Sequence, residues 1–241
     1  MKMSIGAVAL VALGAVVATP LVGAAQEAEL SANVGLVSEY FFRGITQKGE
    51  GGAATSEGAS ASAGLDVAFP NVYLGTWAAD VGDGNEVDLY AGVGTEVDDF
   101  SVSIGGTAYL YTDSLFDGTF LEGNLNAGYK ALSAEFTYGR HDLQPTNTNY
   151  WFLAGTLEQW GLYGTIGLWG DNTAAADPAN FDGAYFEAGY GVTVADLDLS
   201  ASWVYSTDKL LETTLGLDPM DNNLEHTLVF GIGYTFDIDI N

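Results

Sequence analysis

The chain has 241 residues, of which 48% are hydrophobic and 16% charged, and its formal net charge is −26. Such acidity argues against nucleic-acid binding, because few cations are available to neutralise phosphates. The sequence contains no cysteine, which excludes disulfides, thiolate metal sites and cysteine nucleophiles, and its hydrophobic content argues against a disordered chain.

Residues 1–25 have the organisation of a secretory signal peptide. Lys2 gives a positive start, residues 5–17 are apolar, and residues 20–25 are mostly small, with Gly23 and Ala25 placed as they are before a cleavage site. The apolar stretch is short for a transmembrane helix. We therefore expect residues 1–25 to be removed and residues 26–241 to form the exported domain.

Apolar and polar residues alternate along the exported chain, in runs that recur about every 18 residues. Alternation with a period of two is typical of a β-strand with one apolar and one polar face, and its repetition is typical of a transmembrane barrel whose strands face lipid and lumen in turn. Twelve strands are predicted, near residues 30–44, 55–68, 72–80, 86–97, 100–111, 119–129, 132–141, 150–157, 161–170, 182–194, 197–207 and 225–238.

The connections between these strands differ in length at the two ends. After even-numbered strands they are short, at residues 69–71, 98–99, 130–131, 158–160 and 195–196. After odd-numbered strands they are longer and rich in Gly, Asp, Asn and Thr, up to residues 208–224. Short periplasmic turns and long extracellular loops are typical of bacterial outer-membrane barrels. The sequence predicts an all-β, antiparallel, up-and-down transmembrane β-barrel of about 12 strands in that membrane, with a soluble β-sandwich as the alternative.

Aromatic residues cluster at the ends of the predicted outward rows, where interfacial girdles belong. The predicted girdle residues are Tyr40, Phe42, Phe69, Phe100, Phe120, Tyr129, Trp160, Trp203, Tyr205 and Phe236.

The predicted inward faces carry small polar residues, tyrosines and acids. A lumen lined with acids has a negative potential, which attracts cations and repels anions. The predicted pore-lining residues are Glu39, Arg43, Asp66, Glu86, Asp88, Tyr90, Tyr109, Glu122, Glu135, Tyr163, Tyr185 and Glu187.

Arg43 is the one well-placed base among these inward residues, and we expect it at the extracellular end of the first strand. One interpretation is a constriction that binds carboxylate or phosphate groups of solutes through the two arms of the guanidinium. The other is a buried ion pair with a facing acid, which would hold the first loop in place. Both remain open from the sequence.

Residues 36–47 read Leu-Val-Ser-Glu-Tyr-Phe-Phe-Arg-Gly-Ile-Thr-Gln, and residues 73–77 read Tyr-Leu-Gly-Thr-Trp. These two blocks resemble the opening signature of the TorF-type porin family. The motif positions matched here are Tyr40, Phe42, Arg43, Gly44 and Gln47. The resemblance implies an outer-membrane β-barrel with a role in transport, and it carries no catalytic residues over to this chain.

Two functions follow as hypotheses. The first is a porin, a passive diffusion channel for small solutes and ions that prefers cations. The alternative is a closed structural or adhesion-type barrel that acts through its extracellular loops. The expected partners are outer-membrane lipid, lipopolysaccharide, the barrel-assembly machinery and small solutes, with no nucleic acid and no oligomeric state assigned.

An enzyme is not predicted. The chain has two histidines, His141 and His226, and no serine in the sharp turn that a hydrolase nucleophile occupies. No cofactor is predicted. The acidic stretch at residues 80–88 lacks the ligand spacing of a calcium loop, so no metal site is predicted either.

Overall fold

A computed structural model describes residues 28–50, 53–54, 58–112, 118–143, 146–171, 181–210 and 226–239. The predicted signal peptide lies outside the described residues. Twelve antiparallel strands close into a barrel, as the sequence predicted. No helix in the described part of the chain is long and apolar enough to cross a membrane.

The strands are numbered here in chain order. Twelve form the barrel wall, and β2–β5 are two-residue strands in the connection between β1 and β6. The bounds are β1 Glu29–Val37, β2 Phe41–Phe42, β3 Ile45–Thr46, β4 Gly49–Glu50, β5 Ala53–Ala54, β6 Ser60–Ala68, β7 Val72–Asp80, β8 Asn85–Val97, β9 Phe100–Tyr111, β10 Thr119–Tyr129, β11 Leu132–Leu143, β12 Thr146–Gln159, β13 Leu162–Asp171, β14 Gly183–Val194, β15 Leu197–Ser206 and β16 His226–Ile238.

Each wall strand pairs with its neighbours in the sequence, and β1 closes the barrel between β6 and β16. Leu30 pairs with Ile238 of β16, and Val37 pairs with Ser60 of β6. This closure leaves no unpaired sheet edge, which is the condition for a sheet to exist inside a lipid bilayer.

The outer surface of the barrel is apolar. Leu36, Ile104 and Leu228 are 47%, 60% and 63% exposed, and similar residues repeat at alternate positions around the wall. Phe69, Phe100, Tyr129, Trp160, Trp203 and Phe236 are also exposed, as predicted for outward aromatic residues. A continuous apolar surface of this extent matches the lipid-facing band of a membrane barrel.

The wall strands end close to the predicted positions. A tight turn at Trp160 and Gly161, both with positive φ, joins β12 to β13. Residues 158–159 were predicted to lie in this turn, but they belong to β12. Ala195 and Asp196 form another tight turn with positive φ. Two such residues are typical of the two-residue hairpin turns that match the twist of the strands.

The prediction for the first strand is wrong beyond residue 37. β1 ends at Val37, where the Ser38 backbone N–H donates to the Phe230 carbonyl oxygen at 2.8 Å and the chain leaves the wall. Tyr40 and Phe42 were predicted to face outward, but Tyr40 is buried and Phe42 packs against Tyr109 inside the barrel. Residues 40–48 are surrounded by protein, so both faces of this segment are covered. Its alternation of residues therefore does not indicate a face in contact with lipid, although the prediction assumed that it did.

Phe120 was also predicted to be an outward girdle residue, and this is wrong. Its ring stacks on His141 at 3.8 Å and contacts Tyr150 and Phe181 edge-on or nearly so, with those rings inside the barrel. In β10 the exposed residues are Leu121 and its alternate neighbours, so Phe120 has the inward parity. Its parity with Glu122, which was predicted to face inward, was a signal that the assignment to the girdle overlooked.

Candidate functional site

Residues 38–48 form a hairpin inside the barrel, which we call the luminal hairpin. Phe41–Phe42 pairs with Ile45–Thr46, and the turn between them is Arg43-Gly44. Both turn residues have positive φ, 48° and 81°, which is the geometry of a type I′ turn. The Gln47 backbone N–H donates to the Tyr40 carbonyl oxygen at 2.9 Å and closes the base. All residues from 40 to 48 are buried except Phe42, which is half-buried.

The tip of the luminal hairpin is fixed to three wall strands. The Trp169 indole N–H of β13 donates to the Arg43 carbonyl oxygen at 3.0 Å, and the Ser206 hydroxyl of β15 donates to the Gly44 carbonyl oxygen at 2.5 Å. A Cβ at Gly44 would lie 2.4 Å from the Cβ of Tyr185 in β14. Only glycine therefore fits this position, both for its φ and for the contact with the wall.

The Arg43 guanidinium is bound by two carboxylates and a hydroxyl. Its Nη1 donates to Glu122 Oε1 at 2.8 Å and its Nη2 to Glu122 Oε2 at 3.2 Å, so the pair is bidentate. Nη2 also donates to Glu135 and, at 3.3 Å, to the Thr137 hydroxyl. Charge-assisted bidentate pairs are the strongest hydrogen bonds that protein side chains make.

Aromatic rings complete the surroundings of this guanidinium. Its central carbon lies 4.4 Å from the ring centre of Phe152, 5.7 Å from that of Trp169 and 4.5 Å from that of Phe42. These distances fall within the range of cation–π attraction, which grows when the cation is desolvated. Arg43 is 6% exposed, so water is largely excluded.

Glu122 is itself held by tyrosines. The Tyr109 hydroxyl donates to Oε2 at 2.9 Å, the Tyr150 hydroxyl to Oε1 at 2.8 Å, and the Asn124 amide to Oε2 at 3.2 Å. Together with Arg43 these donors satisfy a fully buried carboxylate, since an ionised carboxylate accepts hydrogen bonds and donates none. The wall thus presents a preorganised anion at the tip of the hairpin.

The base of the luminal hairpin contacts the other side of the lumen. The Tyr40 hydroxyl donates to Glu86 of β8 at 2.7 Å, and its ring packs edge-on against Trp77 of β7 at 5.6 Å. Lys48 Nζ donates to Asp80 at the end of β7 at 2.5 Å. The hairpin therefore crosses the lumen from β7 and β8 to β10–β15, and its buried residues lie in the half of the barrel nearest the longer loops.

The half of the lumen nearest the short turns has a different lining. Tyr90 donates to Asp66, and the Asn33 amide donates to the same carboxylate at 3.3 Å. Tyr163 donates to Glu187 in the same way. Asp66 and Glu187 are only half-buried, so this half carries acidic side chains with part of their surface exposed.

The twelve residues predicted to line the pore lie inside the barrel in three groups, and their role in a pore stays a prediction. Arg43, Tyr109, Glu122, Glu135 and Tyr185 surround the hairpin tip, and Glu39, Glu86 and Asp88 lie near its base. The turn-side pairs contain the other four: Asp66, Tyr90, Tyr163 and Glu187. Arg43 itself is at the tip of an inward hairpin and not at the extracellular end of a wall strand, because the strand stops six residues earlier.

Sequence reasoning missed several residues of this site, among them Lys48, Thr137, Tyr150, Phe152 and Trp169. The run Tyr150-Trp-Phe-Leu153 is apolar at every position, so parity gave no face for it. Thr137 follows Glu135 at the inward parity of β11 and was detectable by the same rule that found Glu135.

A family model described as "Bacterial protein of unknown function (Gcw_chp)" matches residues 22–156, more than half of the chain. The chain belongs to this family. The matched residues include β1, the luminal hairpin, β6 to β11 and most of β12, so they contain Arg43, Glu122, Glu135 and Phe152, whereas Trp169 and Ser206 lie beyond the match. The more specific resemblance to TorF-type porins is not confirmed by this match. No curated protein matches the sequence.

A solved membrane protein has a similar fold. A structure from a study of the in-meso crystallization of membrane proteins superposes on this Gcw_chp chain with a TM-score of 0.52 at 12% identity, over 88% of this chain and 85% of the other. The Pseudomonas aeruginosa outer membrane proteins OpdK and OprD each give a TM-score of 0.41 at 14% identity and 87% of this chain. This chain spans 67% of OpdK and 66% of OprD, just under two thirds of the latter.

Proposed function

We propose that the protein is an outer-membrane channel that admits small solutes and ions, with the luminal hairpin as its constriction. The observation that carries the proposal is the inverted polarity of the barrel. Large apolar side chains such as Ile104 and Leu228 are exposed on the outside, while acids, tyrosines and amides lie inside. A soluble barrel has the opposite arrangement, whereas a channel needs an apolar exterior and a polar interior.

The proposal includes export by residues 1–25 and insertion among outer-membrane lipid and lipopolysaccharide by the barrel-assembly machinery. It also includes a preference for cations. Inside the barrel, the described acids outnumber the bases Arg43 and Lys48, which are already paired with Glu122, Glu135 and Asp80. The acids of the turn-side half have hydroxyl and amide partners instead of cations, so a net negative potential remains there.

Passage through this barrel requires the luminal hairpin to shift. The hairpin fills the loop-side half, and residues at its contacts, such as Phe152, Val81 and Val229, are 0% exposed. This close packing favours a second candidate, a permanently closed barrel that acts through its loops. The two candidates differ in whether the hairpin moves under physiological conditions.

A liposome-swelling assay separates these candidates. We expect proteoliposomes of the refolded chain to swell in small amino acids and sugars, and to swell faster with Arg43→Ala, which removes the ion pairs of the hairpin tip with Glu122 and Glu135. Arg140→Ala is the matched control, because Arg140 is exposed on β11. If neither the native chain nor Arg43→Ala permits swelling while both migrate as folded, heat-modifiable barrels, the channel proposal is wrong and the closed barrel replaces it.

A further inference from the structure

We propose that the barrel wall contains a binding site for guanidinium cations, which Arg43 occupies in the closed barrel. The site consists of Glu122, Glu135, Thr137, Phe152 and Trp169, which we call the guanidinium socket. The binding site itself does not depend on the proposed channel function, whereas the class of transported solute inferred from it does.

The socket fits a planar cation with donors along its edges. Glu122 receives two parallel N–H bonds from one guanidinium, while Glu135 and Thr137 receive bonds at its second nitrogen. The face of the cation lies 4.4 Å from the Phe152 ring centre. An ammonium or a metal ion has no flat face for the ring and no pair of parallel donors for the carboxylate, so this geometry selects guanidinium.

The socket belongs to the wall and not to the hairpin. Its five residues lie on β10, β11, β12 and β13, and Glu122 is oriented by Tyr109, Tyr150 and Asn124 from the wall as well. The backbone of the hairpin tip is held separately, by Trp169 and Ser206 bonds to the carbonyl oxygens of residues 43 and 44. Every residue of the socket therefore stays on the wall when the Arg43 side chain leaves it.

The backbone conformation at position 43 is unfavourable for arginine. We therefore infer that arginine occupies this position because of its side chain. The first position of a type I′ turn favours Asn, Asp or Gly, which tolerate positive φ, and Arg43 adopts a φ of 48° there. The turn could form with less strain from another residue. The side chain thus acts as an internal ligand that the hairpin delivers to the socket.

The socket has one accessible side. The Glu135 side chain is 16% exposed, whereas that of Glu122 is 0% exposed and that of Arg43 is 4% exposed. Glu135 lies close to the short turn that begins β11, so the opening is toward the turn-side half of the lumen. That half carries the half-buried acids Asp66 and Glu187, which concentrate cations near the opening.

These features define a solute class and a way of coupling its binding to opening. A small molecule with a guanidino group approaches from the turn-side half, meets Glu135, and competes with the Arg43 side chain for Glu122. Occupation of the socket by the solute releases the hairpin tip from its strongest side-chain bond. The proposed solutes are therefore guanidino compounds, and inorganic cations are not expected to displace Arg43 from Glu122 in this way.

The test is chemical rescue of Arg43→Ala by guanidinium chloride, at concentrations far below those that denature. The variant is refolded and heated in guanidinium chloride or in sodium chloride of equal ionic strength, and the unfolding temperature is read from heat-modifiable migration. We expect guanidinium to raise that temperature saturably, by about 2–4 °C over sodium, and to change Trp169 fluorescence.

Two variants serve as controls. Glu122→Gln added to Arg43→Ala should abolish the difference between the unfolding temperatures in the two salts. Arg140→Ala, which replaces a matched exposed arginine, should show no such difference. Equal responses of Arg43→Ala to the two salts would overturn the proposal.

Refolding in both salts covers the case in which Arg43→Ala is too unstable to fold in sodium, since folding only with guanidinium already reports binding. If it folds in neither, the titration is made on Arg43→Lys, whose ammonium cannot form the bidentate pair. A guanidinium-specific rise is expected there too, and its absence overturns the proposal.

Bilayer recordings then separate the socket proposal from the channel proposal. Specific stabilisation without conductance in any variant keeps the socket and rejects the channel, whereas conductance without specific stabilisation keeps the channel and rejects the socket.

Discussion

At Gly44 the backbone of the luminal hairpin lies directly against the wall. Its φ of 81° is in the left-handed region, and a Cβ would lie 2.4 Å from the Tyr185 Cβ and 3.0 Å from the Ser206 hydroxyl oxygen. The neighbouring atoms belong to two wall strands and have little room to retreat. Any side chain at this position therefore pushes the hairpin tip away from the wall and weakens the Arg43 contacts.

Gly44→Ala is expected to destabilise the barrel and to open the constriction. The left-handed conformation alone costs an alanine about 1–2 kcal/mol, and the contact with Tyr185 adds to it. The measurement is the unfolding temperature by heat-modifiable migration, together with liposome swelling. Gly155→Ala is the matched control, because nothing lies within 4 Å of its added Cβ and no positive φ is involved. Equal behaviour of the two variants would contradict the close fit of the tip.

Tyr40 secures the base of the hairpin by a hydrogen bond from its hydroxyl to Glu86, and both residues are buried. Tyr40→Phe removes one donor from a buried carboxylate, which typically costs about 1–3 kcal/mol. We expect a lower midpoint in denaturant-induced unfolding, with Tyr129→Phe as the control, because Tyr129 is exposed at a turn. A midpoint unchanged from that of Tyr129→Phe would show that this bond contributes nothing to the hairpin's position.

At the scale of elements, the luminal hairpin and the barrel wall are separable. β1 ends at Val37 and pairs there with Ser60 of β6, so the wall is continuous without the chain between them. The hairpin is an insertion in what would otherwise be a short connection between two adjacent wall strands. Its removal leaves every strand-to-strand pairing of the wall in place.

Replacement of residues 38–59 by a two-residue Asn-Gly turn should therefore leave a folded barrel with a wider lumen. Asn-Gly is the preferred sequence for a two-residue hairpin turn, and Val37 and Ser60 are already cross-strand partners. We expect retained heat-modifiable migration and larger single-channel conductance than that of the native chain. A replacement that never folds would show instead that the hairpin is a core on which the wall assembles.

The wall was predictable from the sequence, whereas the hairpin was not. Period-two alternation reports which face of a strand meets lipid, and it located all twelve wall strands, ten of them to within four residues at each end. β6 begins at Ser60, five residues later than predicted, and β1 ends at Val37, seven residues earlier. In residues 38–48 the same alternation continued, and the prediction extended β1 to residue 44. What ends β1 at Val37 is a set of distant contacts with β7–β15, such as Arg43 with Glu122, and alternation carries no information on these.

The candidate site was predictable only in part, because alternation assigns a face only to residues on regularly alternating strands. Inward parity identified Glu122, Glu135 and Tyr109, because these lie on regularly alternating strands. It did not identify Phe152, which lies in an unbroken apolar run, or Lys48, which lies outside the wall. The sequence offered an ion pair as one of two interpretations of Arg43. Which acids form that pair could not be predicted, because it depends on the three-dimensional arrangement.

At the scale of the whole molecule, the outward apolar belt and the unequal connections set the orientation that we propose. The short turns, such as Asp98-Asp99 and Ala195-Asp196, would face the periplasm, and the longer connections would face outward. The turn-side opening of the lumen would then face the periplasm, and the luminal hairpin would close the extracellular half.

Cysteine labelling of intact cells tests this orientation. A membrane-impermeant thiol reagent should not label Asp98→Cys or Ala195→Cys until the outer membrane is permeabilised. It should label Asn172→Cys and Asn222→Cys directly; these two positions are in predicted extracellular loops and lie outside the described residues. The native chain has no cysteine, so it serves as an unlabelled control. Labelling of Asp98→Cys in intact cells would reverse the orientation.

The most direct test of the central claim is the conductance of the refolded mature chain in a planar lipid bilayer under a salt gradient. Discrete current steps with a cation-selective reversal potential, enlarged when residues 38–59 are replaced by the short turn, are the result that an acidic channel constricted by the luminal hairpin predicts. Anion selectivity would contradict the acidic lumen. A folded barrel that gives no steps, with or without the hairpin, would contradict the channel itself.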